Sequence, residues 1–184
     1  MYNGRSTNSI SGLCKINEFL YIANHQAASN VDYLLNAQIT LVVNATPDQT
    51  NPPNAPTGIE YIRVPVEDSL HGNLTNFLDF VADKISDHKR RGGRCLVHCI
   101  AGVSRSATLC IAYLVKHEAM SLAAAHGIVK SARPIIRPNP AFWTQLVDYE
   151  RRLRGFNSVN MVDIGASTQV PDIYQGQMTG LLYL

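Results

Sequence analysis

The amino-acid sequence predicts an α/β domain, a central and mostly parallel β-sheet flanked by helices. Three observations point there. Short apolar, β-branched runs such as Thr40–Val43 and Arg94–His98 have the length of buried strands. They alternate with longer stretches in which apolar residues recur at helical spacing, the pattern of strand–helix–strand units. At 184 residues the chain also suits one domain with a sizeable core.

Taken in order, residues 1–12 form a polar N-terminal arm, and residues 13–155 form the domain. Leu13–Ile22 is a first strand region with partial alternation. Ser29 is placed to cap a helix through Asn36, with Val31, Leu34 and Leu35 on its inner face. Thr40–Val43 is a short buried strand, and Thr46–Gly58, rich in Pro, Asn and Thr, is a loop. Tyr61–Val66 is a further strand, followed by a polar loop, Glu67–Gly72. Leu74 to about His88 is an amphipathic helix with Phe77, Leu78, Val81 and Ile85 inward. Lys89, Arg90 and Arg91 close it, where cations complement the helix dipole.

Arg94–His98 is a buried strand that leads into CIAGVSRS and then an apolar helix from about Ser106 to His117. Ser121 caps another helix, which Pro134 ends. Pro140 opens the last helix, which runs to about Arg154 with Phe142, Trp143, Leu146 and Tyr149 toward the core and Gly155 as its C-cap. Residues 156–184 show no clear periodicity and are expected to be a tail that lies on the domain or moves freely.

Composition narrows the function. Apolar residues make up 46% and charged residues 16%, with a formal net charge of +2. There is no dense Lys/Arg stripe, so nucleic acid is not an expected partner. No apolar run reaches the roughly 18–20 residues that a spanning helix needs, and the opening residues lack the apolar stretch of a secretory signal. A mitochondrial transit peptide is a weak alternative, because Arg5 alone is too few cations. The expected location is the cytosol, with the nucleus also open, where thiols stay reduced. The four cysteines, Cys14, Cys95, Cys99 and Cys110, are therefore not read as a disulfide framework. A zinc site at Cys95, His98 and Cys99 is rejected, since alternation puts His98 on the other strand face and a fourth ligand is missing. Cys95 and Cys110 read as core residues, although one of them pairing with an oxidised Cys99 is a sharper alternative.

The chemistry lies in His98-Cys99-Ile100-Ala101-Gly102-Val103-Ser104-Arg105-Ser106. A buried strand delivers Cys99 to a loop that opens a helix, and five residues separate Cys99 from Arg105. A loop of that length curls so that successive N–H groups of Ile100, Ala101, Gly102, Val103, Ser104 and Arg105 point inward, an anion cradle reinforced by the helix N-terminus. Gly102 supplies the permissive backbone. A thiol in that field is held as its nucleophilic thiolate. Arg105 offers a planar fork for two phosphate oxygens. His98 is expected to brace the base of the loop and Ser106 to donate to the sulfur.

This stretch is similar to the H-C-x5-R-[ST] signature of the protein tyrosine phosphatase superfamily, and HC-x-AGVSRS resembles its dual-specificity phosphatases. Further pieces fall in the same order. Asn17–Asn24 (NEFLYIAN) resembles the opening strand, Val64–Ser69 (VPVEDS) the general-acid segment, and Arg133–Leu146 (RPIIRPNPAFWTQL) the segment after the penultimate helix. VPDIY at Val170–Tyr174 resembles a related group of small, atypical members without a kinase-docking module. The resemblance implies a phosphatase acting on phosphotyrosine and phosphoserine/threonine through a cysteinyl-phosphate, without cofactor or metal. It implies phosphorylated proteins as partners, MAP kinases among them, and a role for Asn139 in bracing the active-site loops.

Two loops beyond strand ends carry an Asp that could be the acid. Asp68 is favoured because VPVEDS matches the acid segment and its loop is short. Asp48, in a loop of turn formers, is the alternative. Asp79, Asp83 and Asp87 read as solvated helix residues. Two rival functions fit these residues less well. A binding module without turnover would have lost Cys99, Arg105 or the acid. A lipid phosphatase would place cations inside the loop, and an RNA or glycan phosphatase would show a basic groove or an added module. Oligomeric state is not legible.

Overall fold

The computed structural model describes residues 12–47, 55–165 and 168–175; the N-terminal arm up to residue 11, Asp48 and residues 176–184 of the tail lie outside them. The strand region expected at Leu13–Ile22 is two strands, β1 (Cys14–Lys15) and β2 (Leu20–Asn24), which pair antiparallel. Asn17 breaks the run, its side-chain oxygen accepting from the N–H groups of Phe19 and Leu20 at 3.1 and 2.9 Å, so the chain turns back. The next two elements are short helices, α1 (His25–Ala28) and α2 (Val31–Asn36). Asn30, not Ser29, caps α2, accepting from Tyr33 N–H. Ser29 closes α1 instead, donating to the His25 carbonyl. Of the expected inner face of α2 only Leu34 is buried, while Leu35 is 55% exposed. A helix of under two turns presents little more than one residue to the sheet.

Strands β3 (Leu41–Asn44) and β4 (Glu60–Arg63) follow. β4 ends earlier than the expected Val66, because Pro65 has no N–H to give to a ladder. The long helix α3 (Thr75–Arg90) buries Leu78, Val81, Ala82 and Ile85, with Phe77 half-buried. Strand β5 (Cys95–Cys99) is buried throughout and leads to α4 (Arg105–His117), buried from Arg105 to Val115. A helix apolar all round can only be central, and α4 packs against α3, α5 (Leu122–Ala132) and α6 (Pro140–Arg154). Asp79 and Asp83, expected to be simply solvated, instead clamp Lys116 of α4 at 2.7 and 2.8 Å.

The sheet runs β1-β2-β5-β3-β4, parallel except for the short antiparallel edge strand β1. The period of two divides β5 between two cores. Cys95, Val97 and Cys99 face the large core under α3–α6, and Leu96 faces the small one under α1 and α2. Part of the expected tail is structural. β6 (Met161–Asp163) and β7 (Gln169–Pro171) form a hairpin against α6, ending in a turn at Asp172–Tyr174. Val159 and Tyr174 join the core, Tyr174 edge-on to Trp143 with ring centroids 5.6 Å apart. These contacts are far apart in sequence, so no local periodicity announces them.

Candidate active site

β5 ends at Cys99, at the carboxyl edge of the parallel strands, and α4 begins at Arg105. Between them the loop makes a closed turn whose carbonyls are all engaged on its outer side. Ile100 O accepts from His25 N–H at 3.0 Å and Val103 O from Arg137 N–H at 2.8 Å. Ala101 O and Gly102 O accept from the Arg133 guanidinium at 3.0 and 2.7 Å. Ser104 O accepts from the N–H and hydroxyl of Thr108, both at 2.9 Å. In a trans peptide each carbonyl points opposite to the N–H of the next residue. With five carbonyls held outward, the N–H groups of Ala101, Gly102, Val103, Ser104 and Arg105 turn inward, over Cys99. Gly102 N–H already donates to Cys99 Sγ at 3.3 Å.

Gly102 is required by shape as well as by conformation. Its φ is +68°, and an added Cβ would lie 2.5 Å from the Ala23 carbonyl oxygen. Cys99 is 1% exposed, at the floor of this ring, with Sγ 3.3 Å from Ser106 Oγ. Ser104 sits at the N-terminus of α4 but caps nothing there. Its hydroxyl instead accepts from Asn139 N–H at 3.1 Å.

Arg105 is 6% exposed and donates from Nη1 to Val66 O at 3.1 Å. Its Nε is buried without a hydrogen bond, 3.7 Å from Asp68 Oδ2. Asp68 therefore faces the loop across Arg105, on a loop beyond the carboxyl end of β4. Asn139 ties these parts together. Its Nδ2 donates to Asp68 Oδ1 at 2.9 Å and to Ser69 O at 3.2 Å, while its Oδ1 caps α6 by accepting from Phe142 N–H at 3.0 Å. The structure thus brings together Cys99, Arg105, Asp68, Ser106 and Asn139.

His98 stands on the other face of the sheet. Its ring meets the Cys99 backbone and lies 5.7 Å from the His25 ring, and its Nδ1 is buried without a partner. Burial pushes its pKa down to about 4, so the ring is neutral. Arg133, which reading by residue type passed over, is fully buried and holds two of the five loop carbonyls. In the sequence it opens the segment Arg133–Leu146 that carries part of the resemblance, but as a residue type it is an arginine beside Pro134 at a helix end, a place where arginines are ordinarily solvated. Burial pushes Cys95 up to about 12 and Cys110 well above the ordinary thiol range, so both stay protonated.

The comparisons agree with this geometry. Residues 20–152 match the family described as "Dual specificity phosphatase, catalytic domain". The chain is 48% identical to human dual specificity protein phosphatase 18 over 92% of this chain and 89% of the relative. It is 45% identical to human dual specificity protein phosphatase 14 over 96% and 88%. Among solved structures, human DUSP28 superposes with a TM-score of 0.74 at 39% identity, over 77% of this chain and 95% of the other. A mouse putative dual specificity phosphatase, solved with zinc tungstate, superposes with a TM-score of 0.76 at 38% identity, over 84% and 96%. A cysteine seated below inward-turned amides and likenesses that run nearly the length of the chain have one reading: the protein belongs to the dual specificity phosphatase family and is a protein phosphatase.

Proposed function

We propose that this phosphatase dephosphorylates phosphotyrosine and phosphoserine/threonine with Cys99 as nucleophile, Arg105 as phosphate clamp and Asp68 as general acid. The observation that carries the reading is the set of five loop carbonyls bonded outward above Cys99. The inward N–H groups of the loop cradle the three phosphate oxygens, aided by the N-terminus of α4. The buried, unbonded Arg105 Nε is an unsatisfied donor that a phosphate oxygen would satisfy.

In the first step the Cys99 thiolate attacks phosphorus in line. The P–S bond forms as the P–O bond to the side chain breaks, and the Asp68 proton passes to the departing oxygen. In the second, water attacks phosphorus, gives its proton to the Asp68 carboxylate and displaces the sulfur, releasing inorganic phosphate. Ser106, 3.3 Å from Sγ, donates a hydrogen bond to the leaving thiolate. Asn139 keeps the Asp68 carboxyl turned toward this centre.

Phosphorylated signalling proteins are the substrates this reading favours, MAP kinases among them. Low charge inside the loop favours them over inositol lipids. The cytosol and nucleus are the proposed location, where thiols such as that of Cys99 stay reduced.

The test is Cys99→Ser, with turnover followed on phosphotyrosine and phosphothreonine peptides and on a phosphoinositide, and tungstate binding followed by calorimetry. The variant is expected to lose turnover and keep tungstate, because the cradle is backbone. Hydrolysis surviving in Cys99→Ser overturns the nucleophile. Loss of the acid's contribution in Asp48→Ala but not in Asp68→Ala moves that role to Asp48.

A further inference from the structure

Beside the catalytic centre lies a cleft of about 440 Å³ that the reaction described above does not use. Leu70 of the acid loop forms one wall. Pro140, Ala141 and Thr144 on the first turn of α6 form another, and Met161 and Asp163 of the C-terminal hairpin close the far side. The cleft is continuous with the site. Leu70 is two residues from Asp68, and Pro140 follows Asn139, whose amide holds both Asp68 and Ser69. Leu70 is 68% exposed. Leu70 lines the cleft together with Pro140, Ala141 and Met161, so its exposed side chain is part of a contiguous apolar surface rather than an isolated one. Across the phosphate loop, Ile100 is also exposed at 47%.

We propose that this cleft is a substrate subsite that takes an apolar side chain of the bound phosphoprotein, one to three residues from the phosphorylated one. The inference rests on the catalytic reading above and adds where specificity arises. The spacing follows from reach. Two residues of extended chain span about 7 Å, so a peptide with its phosphate over Cys99 passes Leu70 within a few residues. The chemistry follows from the lining. Among the described residues the cleft wall carries one carboxylate, Asp163, and no cation. Glu67 adds to the same sign on the neighbouring loop, so an acidic side chain is repelled. Asp163 is also partly engaged, accepting from Gly165 N–H at 2.8 Å. Thr144, Thr168 and Gln169 are polar but uncharged, and the methyl and methylene groups of Leu70, Pro140, Ala141 and Met161 supply the apolar contact surface.

The experiment uses the full chain and a set of phosphotyrosine peptides that differ at one position at a time within three residues of the phosphotyrosine, carrying Leu, Ala or Glu there. The readout is the ratio of kcat/KM for Leu over Ala within each enzyme variant, so partial loss of folded protein cancels. The wild type is expected to prefer Leu by about tenfold at one position, as partial burial of one leucine gives, and to disfavour Glu. Leu70→Ala, which removes a wall, and Thr144→Phe, which fills the cleft, should bring the ratio near one. 4-Nitrophenyl phosphate, too small to reach the cleft, should be hydrolysed by both variants at close to the wild-type rate. Absence of a Leu preference at every position, or a preference that survives both variants, overturns the subsite. Either result leaves the catalytic reading intact provided 4-nitrophenyl phosphate hydrolysis still depends on Cys99, so the two failures are distinguishable.

Discussion

Replacing Gly102 by Ala tests whether the loop is held as tightly as its contacts imply. Two costs can be separated. The residue has φ of +68°, which costs an L-residue about 1–2 kcal/mol. The new Cβ would also lie 2.5 Å from Ala23 O, 2.7 Å from Ala23 C and 2.9 Å from Asn24 N, where ordinary contact begins at 3.4 Å. All three are backbone atoms of β2, which is hydrogen-bonded to β5 along its length. Neither side can give way alone, so the loop must move by several tenths of an ångström to about 1 Å, and a misplacement of that size costs on the order of 10²-fold in rate. Strain and overpacking together should destabilise by about 2–4 kcal/mol, lowering Tm by roughly 5–15 °C. Gly92 provides the control. Its φ is +75°, but an added Cβ there meets nothing within 4 Å. Gly92→Ala should therefore show only the conformational cost, with kcat unchanged. The assay is steady-state hydrolysis of 4-nitrophenyl phosphate with thermal unfolding by circular dichroism. If Gly102→Ala keeps kcat within threefold of wild type, or loses no more Tm than Gly92→Ala, the close approach of the loop to β2 is not what shapes the site.

Three further outcomes follow from the same contacts. Asn139→Ala removes the amide that holds Asp68 and the cap of α6; kcat should fall about tenfold or more for alkyl phosphates and less for nitrophenyl phosphate, whose leaving group needs no proton, and an equal loss on both would assign Asn139 a purely structural part. Arg133→Met leaves the Ala101 and Gly102 carbonyls without their donor, at roughly 1–3 kcal/mol each, so tungstate affinity and Tm should drop together; unchanged tungstate binding would refute its role in aiming the amides. His98 and His126 have pKa values lowered to about 4, chiefly by burial. The unfolded chain, with imidazoles near 6.5, therefore binds more protons than the native state between these values. Stability is full above pH 6.5 and is lost as pH falls toward 4, by about 2 kcal/mol for each group at pH 5. Urea unfolding at pH 7.5 and pH 5 measures it, and His126→Gln should reduce the difference.

The position of Arg133 illustrates a general cost of building an anion cradle from backbone. Turning five N–H groups inward forces five carbonyls outward into a protein interior, where each needs a donor. This protein provides them from three separate elements, the start of α1, the segment after α5 and α4 itself. One buried cation serves two carbonyls at once, which a neutral side chain with a single donor cannot do. The positive charge of Arg133 also lies close beneath the loop, where it adds to the field that favours a bound anion.

What the sequence determined by itself is the part set by neighbours along the chain. Five residues between Cys99 and Arg105, a glycine among them and an apolar helix behind are local facts, and they specify a cradle wherever the loop is placed. The caps at Ser121 and Gly155, with Pro140 in the first turn, fixed the later helices for the same reason. The α1–α2 region was less legible, because Ser29 and Asn30 are both able cappers and only docking against the sheet decides between them. What tertiary structure decided is which distant groups meet. Asp68 and Asn139 are 71 residues apart and Arg133 and Cys14 are 119 apart, and no periodicity encodes such a pairing. The same holds for the C-terminal hairpin. Its strands of three residues are too short to show alternation, and they are ordered by contacts to α6 and by the burial of Val159 and Tyr174. Chain connectivity sets the chemistry of the loop; the packing of remote segments aims it.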